Sequence, residues 1–142
     1  MRHIATQILI IGAGPAGTAA ARILSAQGRD VLLVDRCAVP RDKVCGDAMI
    51  PDALSALERL GLKNNVLSES RQSSAVRVYA PNGKYVSADV GVGCLPRKRL
   101  DDLMREAAVA SGATFNSKLF DRISSGARPS FRCIIVERKS RA

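Results

Sequence analysis

Aromatic side chains are scarce in this sequence, and several patterns that mark particular protein classes are missing from it. Phe, Tyr and Trp make up 4% of the 142 residues, and Trp is absent. Nucleic-acid modules stack bases on aromatic rings and carry recognisable motifs, so the sequence predicts no nucleic-acid partner. No apolar run approaches the roughly 20 residues needed to span a bilayer, and therefore no transmembrane helix is expected.

Histidine and paired cysteines are also sparse. The chain has one His, and its four Cys stand at positions 37, 45, 94 and 133 without a Cys-x-x-Cys spacing. This pattern predicts neither a metal site nor a disulfide framework, and it favours reduced thiols in a cytoplasmic protein. A strand pattern begins within the first few residues, so we expect no signal peptide.

Acidic residues are outnumbered by basic ones, and the excess is uneven. The net charge is +9, and residues 118–142 contain seven basic and two acidic residues. We therefore expect a folded domain over residues 1–117 and a basic tail over residues 118–142. Such a tail could meet an anionic surface, which leaves peripheral association with a membrane open.

What the sequence does contain, near its start, is a strand, a glycine-rich turn and a helix. The apolar run Ile8–Ile11 is of the kind buried on both faces of a sheet, and Gly12-Ala13-Gly14-Pro15-Ala16-Gly17 follows it. An alanine-rich helix is predicted over 15–27, and a second apolar strand over 30–35 ends in Asp35. A G-x-G-x-x-G motif in this setting, with an acidic residue after the next strand, is typical of a dinucleotide-binding βαβ unit.

Each residue of this unit has an expected role. Gly12 permits the tight turn, Gly14 lets the backbone approach a pyrophosphate, and Gly17 lets the helix pack closely on the sheet. The amides at the helix N-terminus are expected to hold the phosphates. Asp35 is expected to accept hydrogen bonds from the adenosine ribose hydroxyls, which disfavours NADP and leaves NAD and FAD open.

The remaining patterns predict an α/β fold, Rossmann-like with a parallel sheet, plus a β-hairpin. The first strand is expected over 4–11, and the packed face of the first helix to include Ala16, Ala20, Ile23 and Leu24. The other elements expected from periodicity and turn residues are helices over 51–60 and 97–110, a hairpin over 75–88, a third parallel strand over 113–115 and a strand over 131–136. Gly61 suits a left-handed helix C-cap, with Leu62 folding back on the last turn.

Three segments give the chain a family resemblance. They are GAGPAGTAAA from Gly12 with Asp35-Arg36, PRDKVCGDAMI from Pro40 with the following PDALSALERLGL, and PRKRLDDL from Pro96. The chain thereby resembles the N-terminal part of the FAD-dependent oxidoreductases of the geranylgeranyl reductase family. These belong to an aromatic-hydroxylase-like group of flavoproteins that includes halogenases.

The resemblance implies a set of FAD-binding residues and one candidate catalytic residue. The glycine turn would bind the pyrophosphate, Asp35 the ribose, and Arg41 the phosphate or ribose region. Arg36 would lie near the adenine, and Arg97 would face FAD from the start of its helix. Cys45-Gly46 would lie near the isoalloxazine ring, with Cys45 beside the substrate. The implied cofactor-binding set is Gly12, Gly14, Pro15, Ala16, Gly17, Asp35, Arg36, Arg41, Cys45, Gly46 and Arg97.

The implied function is reduction of isoprenoid double bonds in lipids or quinones, with NADPH or another reductant as electron donor. The alternatives are an FAD-dependent monooxygenase or halogenase relative and a non-catalytic remnant or binding module. Family members are much longer, with a later Gly-Asp segment and a substrate-covering sheet domain that have no counterpart here. We therefore expect a truncated or frame-shifted end over residues 118–142, weak FAD binding and little turnover. Whether the chain alone is an enzyme, and its oligomeric state, stay open.

Overall fold

The computed structural model describes residues 2–37, 39–117 and 132–135, and it confirms the predicted fold class. The elements are β1 Arg2–Ala5, β2 Ile8–Ile11, α1 Pro15–Ala26, β3 Val31–Val34, β4 Ala48–Met49, α2 Pro51–Arg59, α3 Lys63–Ser68, β5 Arg71–Ser73, β6 Val76–Tyr79, β7 Tyr85–Ala88, β8 Val92–Cys94, α4 Arg97–Ala110, β9 Thr114–Asn116 and β10 Arg132–Ile135. The chain divides into two compact units, residues 1–41 with 101–142 and residues 42–100. The predicted basic tail lies outside the described residues, apart from β10.

A parallel sheet forms the centre of the first unit. Its strand order is β2-β3-β9, with Ile8 opposite Val31 and Leu33 opposite Phe115. The predicted third parallel strand is thus confirmed, one residue later than expected. All four residues of β3 are at most 2% exposed, since this apolar strand lies between two others and Val31 and Leu33 face a core of alanines.

The first apolar run differs from its prediction in two ways. It was expected to be buried on both faces, but Ile11 is 65% exposed because β2 is an edge strand among the described strands of this sheet. The strand expected over 4–11 is also broken at Thr6, whose buried hydroxyl donates towards the Asp30 carbonyl at 3.0 Å. Before the break, β1 pairs antiparallel with β10 instead of joining the parallel sheet.

Helix α1 packs through a face that includes Leu24, as predicted, but not Ile23 or Ala16. Its buried residues are Thr18, Ala21 and Ser25, whereas Ile23 is 48% exposed. The reason is Gly17, because a Cβ built there would lie only 1.8 Å from the Gly12 carbonyl oxygen. This close approach selects the helix face that rests on the sheet.

The second unit has an antiparallel sheet in the order β4-β8-β5, two helices and a separate hairpin of β6 and β7. The predicted hairpin is confirmed, with Val78 opposite Val86. The predicted C-cap of α2 is also confirmed, because Gly61 has a φ of +67° and the Leu62 N–H donates to the Leu57 carbonyl at 2.8 Å. The residues that follow the hairpin contain β8, which is the central strand of the antiparallel sheet.

Candidate functional site

The glycine-rich turn joins β2 to α1 and depends on two of its glycines for shape. Gly12 has a φ of +107°, a region that L side chains rarely adopt, and its N–H donates to the Val34 carbonyl at 2.7 Å. Gly17 lies so close to Gly12 that no side chain fits between them. The turn is held further by Thr18, a fully buried residue whose hydroxyl donates to the Gly14 carbonyl at 2.9 Å.

The same turn leaves room for an anion in front of the helix. A Cβ built at Gly12 or Gly14 would meet no atom within 4 Å, so open space adjoins the backbone there. Gly14 is the N-cap of α1, makes no side-chain cap hydrogen bond and is followed by Pro15. The N–H groups of a helix's first turn have no partners within the helix, and together with the helix dipole they bind phosphates. The turn therefore fits the pyrophosphate of a dinucleotide such as FAD.

Asp35 follows β3 and holds the turn through its side chain. Its carboxylate is 4% exposed and accepts a hydrogen bond from the Ala13 N–H at 2.8 Å and from the Cys37 N–H at 2.9 Å. Arg41 donates to the same carboxylate at 3.3 Å. Burial acts to raise the pKa of Asp35, but the two N–H groups and the guanidinium outweigh it, and the pKa lies below its usual value.

The structure thus brings three of the predicted features together in the first unit: the glycine turn, Asp35 and Arg41. Arg36, predicted near the adenine, is exposed directly after Asp35. Ala16, the residue after the proline of the turn, is exposed in the first turn of α1. The roles assigned to these residues in binding FAD remain predictions.

Cys45 and Arg97, the other predicted site residues, lie in the second unit and share a neighbour, Asp47. The Asp47 carboxylate accepts a hydrogen bond from the Arg97 N–H at 3.0 Å, at the start of α4. The Asp47 carbonyl accepts another from the Leu95 N–H at 3.0 Å. Asp47 has a φ of +56°, a left-handed conformation that Asp tolerates better than most residues.

The thiol of Cys45 is exposed, as is Gly46 beside it. The Asp47 N–H and then the Arg97 side chain donate hydrogen bonds to its sulfur, and they hold the pKa of Cys45 below its usual range. A thiol in such surroundings has a larger thiolate fraction near neutral pH and is correspondingly reactive. Cys45 as the catalytic residue remains a prediction.

A shallow cavity of about 330 Å³ lies beside this cluster. It is lined by Asp42, Lys43, Val44, Asp47, Pro96, Arg97 and Lys98. Three of these residues are basic and two are acidic, so the cavity suits a polar ligand. Arg97 lines this cavity and could therefore contact a ligand there, and its contact with FAD stays a prediction.

Sequence reasoning missed Asp47, which organises this cluster. Its partners Leu95 and Arg97 lie about 50 residues further along the chain, and no local pattern announces such a contact. Capping preferences gave no signal either, because they apply to the residue that adjoins the helix start, which is Pro96 for α4.

Comparisons with known proteins agree with this geometry. The family described as an FAD binding domain matches residues 5–119. A menaquinone reductase of Mycolicibacterium smegmatis is 37% identical over 114 residues, covering 75% of this chain and 27% of that protein. A digeranylgeranylglycerophospholipid reductase of Methanosphaera stadtmanae is 31% identical over 135 residues, covering 87% of this chain and 34% of that protein.

A solved structure shows the same fold. A flavin-dependent brominase superposes with a TM-score of 0.74 over 85% of this chain and 31% of its own, at 20% identity. This chain spans 27% and 34% of the lengths of the two curated reductases. Because the family match covers most of the chain, and the turn before α1 has the room and the donors that a pyrophosphate needs, this chain belongs to the FAD binding domain family and FAD is its cofactor.

Proposed function

We propose that this chain is the FAD-binding part of a reductase that saturates double bonds in the isoprenoid chains of a lipid or quinone. The observation that carries the proposal is the identity with two reductases over 75% and 87% of the chain. One is named for menaquinone and the other for a digeranylgeranyl phospholipid. Both names specify a molecule with a long isoprenoid chain.

The first unit would hold the adenosine end of FAD. The amides of the glycine turn would bind the pyrophosphate, and Asp35 would accept the ribose hydroxyls. Arg36 would lie near the adenine, and Arg41 would offer its guanidinium to the phosphates or the ribose. When bound and reduced, FAD supplies the hydride for this class of reaction, and the protein contributes position and exclusion of water.

The second unit would contribute the residues nearest to the substrate. Arg97 would face FAD, and Cys45-Gly46 would lie near its ring. The lowered pKa of Cys45 supports this role, because it increases the fraction of thiolate that can accept a proton from a neighbouring group. NADPH or another soluble reductant would reduce the flavin.

Peripheral association with a membrane would bring such an enzyme to its substrate. No helix among the described residues is long and apolar enough to cross a membrane. The β6–β7 hairpin exposes Val78, Tyr79, Tyr85 and Val86, each by more than half of its surface. Arg77 lies over the Tyr85 ring at 5.3 Å. Aromatic rings, aliphatic side chains and basic groups are the residues that rest on anionic bilayer surfaces.

The experiment that tests the proposal uses the chain loaded with FAD and reduced chemically. It is mixed with vesicles of a digeranylgeranyl phospholipid, and the lipid is analysed by mass spectrometry for added hydrogen. Most of the predicted contacts are to the adenosine half of FAD, so the flavin ring is held by few residues. We therefore expect slow reduction of the lipid, which becomes visible when protein and lipid are present in equal amounts. We expect Cys45→Ala to slow it further without loss of bound flavin.

Two other outcomes would point to the alternatives. If the lipid is unchanged but oxygen, halide and a phenol give a hydroxylated or halogenated product, the chain belongs to a monooxygenase or halogenase. The shared fold with a brominase makes this second experiment worthwhile. If FAD binds and neither reaction proceeds, the chain is a binding module and not a reductase.

A further inference from the structure

The Asp35 carboxylate has almost no room for further hydrogen bonds. A carboxylate has about four lone-pair sites, roughly two on each oxygen. Its Oδ1 accepts from the Cys37 N–H at 2.9 Å. Its Oδ2 accepts from the Ala13 N–H at 2.8 Å and from Arg41 Nη2 at 3.3 Å. Oδ2 is therefore saturated by protein donors, and a ribose diol that contacts both oxygens needs one of these donors to leave.

Two of the three donors are fixed to the backbone. The Ala13 N–H belongs to the glycine turn, and Ala13 is 2% exposed. The Cys37 N–H is set by the exit of the chain from β3. Moving the Ala13 N–H would deform the pyrophosphate site, and moving the Cys37 N–H would displace the chain that leaves β3. These two bonds are also the shorter ones.

Arg41 is the donor that can leave. Its side chain is 30% exposed, it is flexible, and its contact with Oδ2 is the longest of the three. A guanidinium has five donors and pairs with phosphate as readily as with carboxylate. The exchange of one anionic partner for another therefore costs it little.

We propose that Arg41 and the adenosine ribose compete for Oδ2 of Asp35, and that Arg41 gives up this contact in exchange for the phosphates. Arg41 is then a selectivity residue. It disfavours ligands that offer only ribose hydroxyls, and it favours ligands that offer phosphate as well. This inference rests on the proposed role of Asp35 in the adenosine site, and it does not require the chain to be a reductase.

The test compares adenosine with 2′,3′-dideoxyadenosine on the wild-type chain and on Arg41→Ala, by calorimetric titration, because a ligand without phosphates leaves Arg41 on Asp35 in the wild type. ADP is titrated against both proteins as well. The ratio of the two affinities isolates the contribution of the ribose hydroxyls. Removal of the Arg41 side chain should raise this ratio by about two- to fivefold, because the free energy of a partly exposed ion pair corresponds to a change in affinity of that size. The affinity for ADP itself should fall about tenfold or more, because a charge-assisted bond to phosphate is lost.

Three controls keep the outcomes distinct. Arg29→Ala removes the same charge from an exposed position and should change neither quantity. A thermal melt of each variant establishes that it is folded. Asp35→Ala should bring the ratio close to one, and a ratio that it leaves unchanged would show that Asp35 does not bind the ribose.

The result that overturns the proposal is a hydroxyl ratio that stays the same or falls in Arg41→Ala. An equal gain in affinity for the dideoxy ligand would also overturn the proposal, because the effect of Arg41→Ala would then not depend on the ribose hydroxyls. Failure of lipid reduction has no bearing on these affinities, so the two proposals can fail separately.

Discussion

Gly17 is the position at which the addition of one methyl group has the largest predicted effect. A Cβ built there would lie 1.8 Å from the Gly12 carbonyl oxygen and 3.1 Å from its carbon. Real Cβ atoms essentially never approach other heavy atoms closer than 3.0 Å, so more than 1 Å of movement is required. The obstacle is backbone, which cannot rotate aside as the end of a side chain can. Gly17→Ala must therefore push α1 away from the turn.

Two opposing effects determine how much Gly17→Ala changes the free energy of unfolding. Ala is favoured over Gly inside a helix by about 1 kcal/mol. Overpacking a closely packed site costs about 1–3 kcal/mol, and more where the backbone must shift. Displacing α1 also weakens the bonds of Thr18 to Gly14, which fix the start of the helix. We expect Gly17→Ala to lower the free energy of unfolding by about 2 kcal/mol, a large part of a typical domain's stability.

Gly14→Ala is the matched control for this variant. Gly14 has a φ of −82° and a ψ of −176°, values that Ala adopts freely, and its Cβ would meet no atom within 4 Å. The replacement should cost less than about 1 kcal/mol, because Ala is a poorer N-cap than Gly. It should nevertheless weaken FAD binding, because the methyl group would occupy the space offered to the pyrophosphate.

Urea unfolding followed by far-ultraviolet circular dichroism measures the first effect, and flavin fluorescence titration measures the second. The expected pattern is a strongly lowered unfolding midpoint for Gly17→Ala, and a midpoint lowered by less than half as much, with weaker FAD binding, for Gly14→Ala. A Gly17→Ala chain as stable as the wild type would refute the packing argument. Undiminished FAD binding by Gly14→Ala would refute the placement of the pyrophosphate.

Three further predictions follow from single contacts. The pKa of Asp35 is depressed below 3.8, so its ionised form stabilises the fold above that pH. This contribution is lost as the pH falls through the pKa of the folded state. The midpoint of urea unfolding should therefore decline less between neutral and acid pH in Asp35→Asn than in the wild type. Arg97→Ala should raise the pKa of Cys45 and slow its alkylation by iodoacetamide at neutral pH, with a rate that recovers at alkaline pH. Gly93→Ala should change the free energy of unfolding by less than about 1 kcal/mol, because its Cβ would meet only the flexible ends of Leu67 and Met49, at 3.0 and 3.2 Å, and Ala is favoured over Gly inside a strand; the open Gly91→Ala serves as control in the same unfolding assay.

Elements with strong local signals could be predicted from the sequence. Helix α4 runs from Arg97 to Ala110 as expected, and the hairpin has its turn at Pro81-Asn82-Gly83. Both carry a clear apolar period or a turn triplet, and both are long enough for the pattern to repeat. The left-handed Gly61 is of the same kind, since a single residue type satisfies the geometry.

Elements that depend on distant contacts could not be predicted. Helix α3, Lys63–Ser68, is short and polar, and only Val66 is buried. Strand β5 has no apolar residue and is ordered by pairing with β8. Asp101 of α4 is 1% exposed, a burial that its charged side chain does not predict.

In the candidate site too, features with local signals could be predicted and features that depend on distant contacts could not. The glycine turn is a local backbone requirement, so the sequence alone placed Gly12 and Gly17 correctly. The network around Cys45 depends on a contact between Asp47 and Arg97, and the resemblance supplied two of these residues but not the one that joins them. The packed face of α1 was predicted only in part for a related reason. Leu24 contacts the core as expected, but apolar content favoured Ile23 where close approach selected Thr18.

The dinucleotide-binding motif alone does not predict the whole role of Asp35. The motif assigns this carboxylate to the ribose, yet in the structure it also accepts the Ala13 N–H and so holds the glycine turn in shape. A substitution at Asp35 therefore removes a ligand contact and loosens the pyrophosphate site together. Loss of FAD binding in such a variant cannot be read as the energy of the ribose bonds. The comparison of ligands with and without hydroxyls on an Arg41 variant separates the two contributions, because it leaves the bond between Asp35 and Ala13 intact.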